Sequence, residues 1–374
     1  MAGLYVHIPF CKSRCNYCDF YSTSGTNRAP QYMGVLKNEL TLRLSETKDK
    51  RFDTIYFGGG TPSQVDITTL TDFVSFLKKS LNVSSNAEIT IELNPDDIDN
   101  RFITKLKQSP FNRVSIGVQS FHNEDLVLLD RRHNSTEAID AIKNIQDAGI
   151  DNISIDLMYG IPNLNKDKWL YNLETAGKLG VPHLSAYSLT YYENTKLSEL
   201  ANNDKVKPAS EDDYISQFDT LTNWAEANNF EHYELANLAR PKFQSKHNSS
   251  YWQGVPYIGL GASAHSYDGE YTRIANCSSL SEYIRKNGNC QTIEHLSLRD
   301  RYNDYVICSS RTIWGIDTSL VLKTFGKELH DRLLKNLSDL QSKQLLTEYS
   351  PGNYSATKEG YIKSNIIAEK LIEI

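Results

Sequence analysis

Nowhere in these 374 residues is there a run of about 18 apolar residues, so no segment is expected to span a membrane. The opening, MAGLYVHIPF, has no charged n-region and no long apolar stretch, and a secretory signal is not expected there. An excess of positive charge is missing as well. The 40 Lys and Arg against 46 Asp and Glu leave a net charge of −6, which argues against nucleic acid as a partner. No low-complexity linker and no internal repeat beyond a β-α rhythm stand out. Cysteine is scarce: of the 6 present, Cys11, Cys15 and Cys18 are clustered, while Cys277, Cys290 and Cys308 are scattered and read as having no special role. The expected compartment is the cytoplasm, where thiols stay reduced, so the cluster of three suggests metal rather than disulfides.

What is present is an α/β chain long enough for one large unit and a smaller one. Short β-branched runs at residues 3–8, 54–57, 88–93, 113–118, 152–158 and 183–188 alternate with helical patterns. One such pattern, 140–148, has apolar residues at helical spacing and closes at Gly149. This order predicts a parallel sheet with right-handed crossovers, a barrel or part of one; a doubly wound open sheet is the competing architecture. The strands alternate. Ile89, Ile91 and Leu93 oppose Thr90, Glu92 and Asn94; Val114, Ile116 and Val118 oppose Ser115, Gly117 and Gln119; Ile153, Ile155 and Leu157 oppose Ser154 and Asp156. A parallel strand buried on both faces would be nearly all apolar, so one polar face predicts a barrel lumen that holds a ligand. Glu92, Gln119 and Asp156 sit at or near strand C-terminal ends, where barrel sites form. Residues 1–288 are read as this barrel domain. Residues 289–374 are read as a small winged-helix-like domain, with helices at 297–310 and 318–340, a hairpin at 345–357 and a helix from Lys358. Packing or a lid is its expected role, not DNA binding.

The strongest chemical signal is Cys11-Lys-Ser-Arg-Cys15-Asn-Tyr-Cys18, a C-x3-C-x2-C loop after the first strand. Cluster irons are held by thiolates, normally four in an electron carrier. Here the loop supplies three and the next cysteine is Cys277, which leaves one iron open. Zinc and three unrelated thiols are the alternatives; zinc lacks a fourth ligand nearby. This spacing, with Tyr17 before the last cysteine, resembles the signature of the radical S-adenosylmethionine superfamily. The resemblance implies a 4Fe–4S cluster on Cys11, Cys15 and Cys18 with S-adenosylmethionine on its open iron. The turn Tyr56-Phe-Gly58-Gly59-Gly60-Thr61-Pro62 resembles the family's segment that binds the methionine amino group.

The words LYVHIPFC, ELNPDD, GVQSF, LDRRH and DLMYGIP are similar to those of the oxygen-independent coproporphyrinogen III oxidases and their relatives. That resemblance implies S-adenosylmethionine contacts at Tyr5, Glu92, Gln119, Arg131 and Asp156. Tyr17, Gly59, Gly60, Thr61, Thr190 and His265 are secondary candidates. Two departures separate this chain from the oxidases: Phe20 stands where they carry a further cysteine, and the extension before their first strand is missing. Both match the heme-chaperone branch, as does His247-Asn-Ser-Ser-Tyr251-Trp252. A histidine beside an exposed aromatic pair can ligate heme iron, so His247 is the expected heme ligand. The reading implies heme as cargo, an acceptor such as a membrane respiratory enzyme, and an electron donor for the cluster. A homodimer is left open. Radical decarboxylation of coproporphyrinogen III and another radical reaction are the alternatives.

Overall fold

The computed structural model describes residues 1–374. Six parallel strands run in sequence order: β1 (Ala2–Ile8), β2 (Phe52–Gly59), β3 (Val83–Leu93), β4 (Arg113–Gln119), β5 (Ile153–Tyr159) and β6 (His183–Ser188). A doubly wound sheet reverses its strand order at a switch point. Here the order β1-β2-β3-β4-β5-β6 never reverses, so the sheet curls into a partial barrel that does not close. The outward side chains form the main core: Ile55, Phe57, Ile91, Val114, Ile116, Ile153, Ile155 and Leu184 are all fully buried. Burying each such side chain contributes about 1.5–3 kcal/mol, an upper range for a real unfolded chain.

The sheet grows at both edges in ways the alternation did not indicate. Beyond β6 lie two short antiparallel strands, β7 (Glu231–Glu234) and β8 (Asn237–Ala239). Beyond β1 lie β9 (Tyr257–Leu260), parallel to it, and then β10 (His265–Tyr267), β11 (Thr272–Asn276) and β12 (Gln291–His295). Because β12 belongs to this sheet, the large unit runs past residue 288. A second, smaller core begins at Tyr302 and gathers Val306, Val321, Leu333, Leu337 and Leu346. Its three-stranded sheet and helices follow the winged-helix expectation, except that the helix read over 318–340 breaks at Gly326 (φ 88°) into Thr318–Phe325 and Lys327–Ser342. No helix is long and apolar enough to cross a membrane.

The reading of Cys277 and Cys290 as unrelated thiols is overturned: they form a disulfide, with Cα atoms 5.6 Å apart. The cause is the β11–β12 hairpin. Asn276 pairs with Gln291, so the next residues on each side, Cys277 and Cys290, meet, and Cys277 N donates to Cys290 O at 3.0 Å.

Candidate functional site

The cysteine loop leaves the sheet at Cys11 and is drawn back beside its start by a two-residue pairing of Phe10–Cys11 with Thr23–Ser24. Buried Asn16 pins its middle: its backbone N donates to Leu129 O, its side chain donates to Leu128 O at 2.9 Å, and its carbonyl accepts from Leu197 N. The glycine turn packs directly against the loop. Cys11 Sγ lies 3.5 Å from Thr61 Oγ1, and a Cβ on Gly60 would stand 3.0 Å from that sulfur and 2.9 Å from Phe10 O. Gly59 has φ 116°, a left-handed conformation that favours glycine, and a Cβ there would strike the His7 ring at 2.6 Å.

Cys11, Cys15 and Cys18 line one end of a cavity of about 540 Å³. Tyr17, Gly59, Gly60, Thr61, Glu92, Gln119, Arg131, Asp156 and Thr190 line the same cavity. Arg131 ties its parts together. One guanidinium nitrogen donates to Cys15 Sγ at 3.3 Å and to the Tyr17 hydroxyl at 3.5 Å; the other donates to Asn94 Oδ1 and Gly117 O. Glu92 receives the Tyr56 hydroxyl at 2.8 Å and Gly59 N at 3.1 Å. Burial pushes its carboxyl up to about 7, with the Asp156 charge adding to the rise. Burial likewise pushes Asp156 up to about 6, against the hydrogen bonds of Ser185 and Ser115. Gln119 is turned in by a left-handed backbone (φ 69°) where the β4–β5 register slips. Its buried Oε1 has no partner.

Three expected contacts fall elsewhere. Tyr5 lies behind the cavity wall, its hydroxyl 3.1 Å from His7 Nδ1. His265 is exposed on β10 and does not line the cavity. His247 is not an exposed ligand. It is 1% accessible, with Nδ1 2.8 Å from Thr54 Oγ1 and Nε2 2.8 Å from the Tyr251 hydroxyl. Both ring nitrogens are hydrogen-bonded inside the barrel, not turned to the surface beside an open aromatic pair. Burial also holds the ring neutral, with its basicity lowered to about 3. The segment resembles a heme word in letters, but its helix, Lys246–Trp252, packs inward on β1 and β2.

Asn94, which anchors Arg131, and the rim aromatics Tyr187 and Tyr192 carry no site role in the sequence reading, and Phe20 enters it only as the residue that stands where the oxidases have a cysteine. Asn94 follows β3 directly and continues its polar alternation from Glu92, which is the signal the sequence offers.

No three His, Cys, Asp or Glu side chains converge as ligands of one ion would. The three thiols line one cavity, which suits a multi-iron cluster, where each thiolate takes its own iron. The unpartnered Gln119 Oε1 and the glycine surface beside Cys11 suit a bound polar molecule next to it.

The chain is similar to known proteins in sequence and fold. Residues 5–183 match the Radical SAM superfamily. The heme chaperone HemW of Bacillus subtilis is 28% identical over 371 residues, which cover 98% of this chain and 97% of that protein. HemW of Lactococcus lactis is 32% identical over 370 residues, covering 98% of this chain and 96% of that protein. The structure of coproporphyrinogen III oxidase (HemN) from Escherichia coli matches with a TM-score of 0.84 over 99% of this chain and 89% of that one, at 22% identity, a likeness of fold.

Proposed function

The chain belongs to the HemW family within the radical SAM superfamily, and on that premise we propose that it binds heme and passes it to an acceptor protein. The observation that carries the cofactor part is the single cavity that gathers Cys11, Cys15 and Cys18 with Glu92, Gln119 and Asp156. In this reading the three thiolates hold a 4Fe–4S cluster, which when bound supplies an open iron and a one-electron store for S-adenosylmethionine. Gly59, Gly60 and Thr61 form the surface against its methionyl end. Glu92, Gln119 and Asp156 accept or donate hydrogen bonds to its polar groups, and Arg131 fixes Cys15 and Tyr17 beside it.

Heme is the cargo in this reading, with the cavity rim as its docking surface. Phe20, Tyr187 and Tyr192 line the cavity yet are 71%, 43% and 47% exposed, three aromatic faces open to a flat apolar ring. Phe20 also occupies the position where the oxidases have a cysteine. Arg14, exposed on the same rim, offers a cation to a propionate. The cytoplasm is the proposed location and a respiratory enzyme a fitting acceptor.

The test is a heme titration of the full, anaerobically reconstituted chain, followed by transfer to an apo-hemoprotein. A saturable Soret band that moves to the acceptor is expected, and weaker binding in Phe20→Ala and Tyr192→Ala. No Soret change in the wild-type chain overturns the reading. Rescue of a strain lacking the oxygen-independent oxidase would replace it with the decarboxylase.

A further inference from the structure

The His247–Trp252 word has a place in the fold that its expected role does not explain. His247 stands between two hydroxyls, Thr54 on β2 and Tyr251 one helical turn on. Its ring stacks on Tyr56 with centroids 5.0 Å apart and planes at 22°, and Tyr5 stacks on both, at 6.4 Å from His247 and 6.2 Å from Tyr56. Tyr56 ends this stack and points its hydroxyl at Glu92 Oε1, 2.8 Å away, on the cavity surface. Nothing else at Tyr56 can give: a Cβ on Gly58 would lie 2.9 Å from both Tyr56 Cε1 and Glu92 Oε1. The far end is equally fixed. Glu88 accepts from Lys246 N and His247 N at 3.2 Å each, and Tyr251 packs edge-on against Tyr257 of β9 with centroids 4.6 Å apart. Gly3 leaves the room: a Cβ there would come within 3.3 Å of His247 Cε1.

We propose that His247 is a positioning residue for Glu92, acting through Tyr56, so that the histidine-aromatic word braces the cofactor cavity from behind. The inference rests on the reading that Glu92 contacts S-adenosylmethionine. A stacked, doubly hydrogen-bonded ring fixes the Tyr56 plane, and with it the angle at which the hydroxyl meets the carboxylate. The Tyr56 bond also lowers the Glu92 proton affinity, so loosening the brace raises it. The groups that set the balance around Glu92 are Tyr5, Tyr56, Arg113, Asp156, Tyr187 and Tyr251.

The experiment uses the cluster-loaded chain and two readouts. The first is the affinity for S-adenosylmethionine. The second is the titration of Glu92 itself, read as the infrared carboxyl band that Glu92→Gln removes. His247→Leu and Tyr56→Phe should each weaken affinity about five- to tenfold, the scale of one lost ordinary hydrogen bond. Both should also move the Glu92 midpoint to higher pH. The double variant should be no worse than Tyr56→Phe within about twofold, because both act through one bond. Tyr251→Phe, which keeps every ring and removes one hydroxyl, should shift the midpoint the same way and covers the case in which His247→Leu fails to fold. Additive losses, or an unmoved Glu92 midpoint in His247→Leu or Tyr251→Phe, overturn the proposal. So does a Soret band of bound heme that changes in His247→Leu with the Glu92 midpoint intact. If Glu92→Gln leaves the affinity unchanged, the cofactor reading of Glu92 falls, and the midpoint alone decides the brace.

Discussion

Gly60→Ala isolates the packing of the glycine turn against the cysteine loop. Gly60 is not in the left-handed region, so an alanine there meets no backbone strain and its whole effect is the added methyl. That methyl would stand 2.9 Å from Phe10 O, 3.0 Å from Pro9 C and 3.0 Å from Cys11 Sγ. The backbone targets cannot retreat easily. Gly60 N donates to Ile8 O at 2.9 Å and Thr61 N to Phe10 O at 2.8 Å, which continues the β1–β2 ladder into the turn. The strain therefore falls on the sulfur, the one atom of the three at the end of a rotatable side chain. Overpacking of this kind costs about 1–3 kcal/mol. The assay pairs iron per chain after anaerobic reconstitution with stability in urea. Gly60→Ala should be less stable by that amount and should hold less iron than wild type. Gly34→Ala is the matched control: Gly34 is exposed within the helix Ala29–Leu42 and an added Cβ meets nothing within 4 Å. It should gain about 1 kcal/mol from helix propensity and keep its iron. If Gly60→Ala keeps wild-type iron and stability, the turn does not shape the position of Cys11.

Cys15→Ala should lose the cluster, so the wild-type chain carries about four irons and the variant far fewer, counted by colorimetric iron assay. The folded-state proton affinities of Glu92 (about 7) and Asp156 (about 6) lie above the unfolded-state values, so the folded chain binds more protons between about pH 4 and 7. These two groups therefore weaken stability as pH rises through that window. Glu92→Gln should gain on wild type in urea midpoint more at pH 8 than at pH 5; an equal gain at both would refute the shift. For Cys277 and Cys290, titration of the unfolded chain without reductant should find four free thiols, and six after reduction. Cys277→Ser should cost about 3 kcal/mol for a loop of this length and leave iron content unchanged.

The parts of this protein that were legible in sequence are those that depend on near neighbours. The reading of β6 matches to the residue, and of β4 and β5 to within one, because most of each strand alternates apolar and polar residues. β3 was read five residues short. Its first turn of chain, Val83-Ser-Ser-Asn, is exposed or half-exposed and polar, and it is strand only because it extends the sheet past the core. The helix read as 140–148 in fact starts at Ser135, capped by a reciprocal Asn134–Glu137 pair that lies before the apolar periodicity begins. The edge strands β7 to β12 are three to five residues long, too short to show a period.

The site divides along the same line. Spacing alone places three thiols on one loop, and alternation alone puts Glu92, Ser115 and Asp156 on one face. Which of them meet is a matter of register, and register is set by strands far apart in the chain: Glu92 beside Ser115, Gly117 beside Asp156. Arg131 shows what this hides. It joins Cys15, Tyr17, Asn94 and Gly117 from three segments, so no window of sequence contains its partners. His247 shows the reverse case. Its neighbours in sequence, Tyr251 and Trp252, suggested an open aromatic ligand site, but its neighbours in space include Thr54 and Tyr56, nearly 200 residues away, and they close the ring in. The same word of residues reads as a metal ligand or as a brace depending on which face of a seven-residue helix the sheet covers. That choice is made by the width of the gap over Gly3, where β1 has no side chain, and the histidine ring fills it.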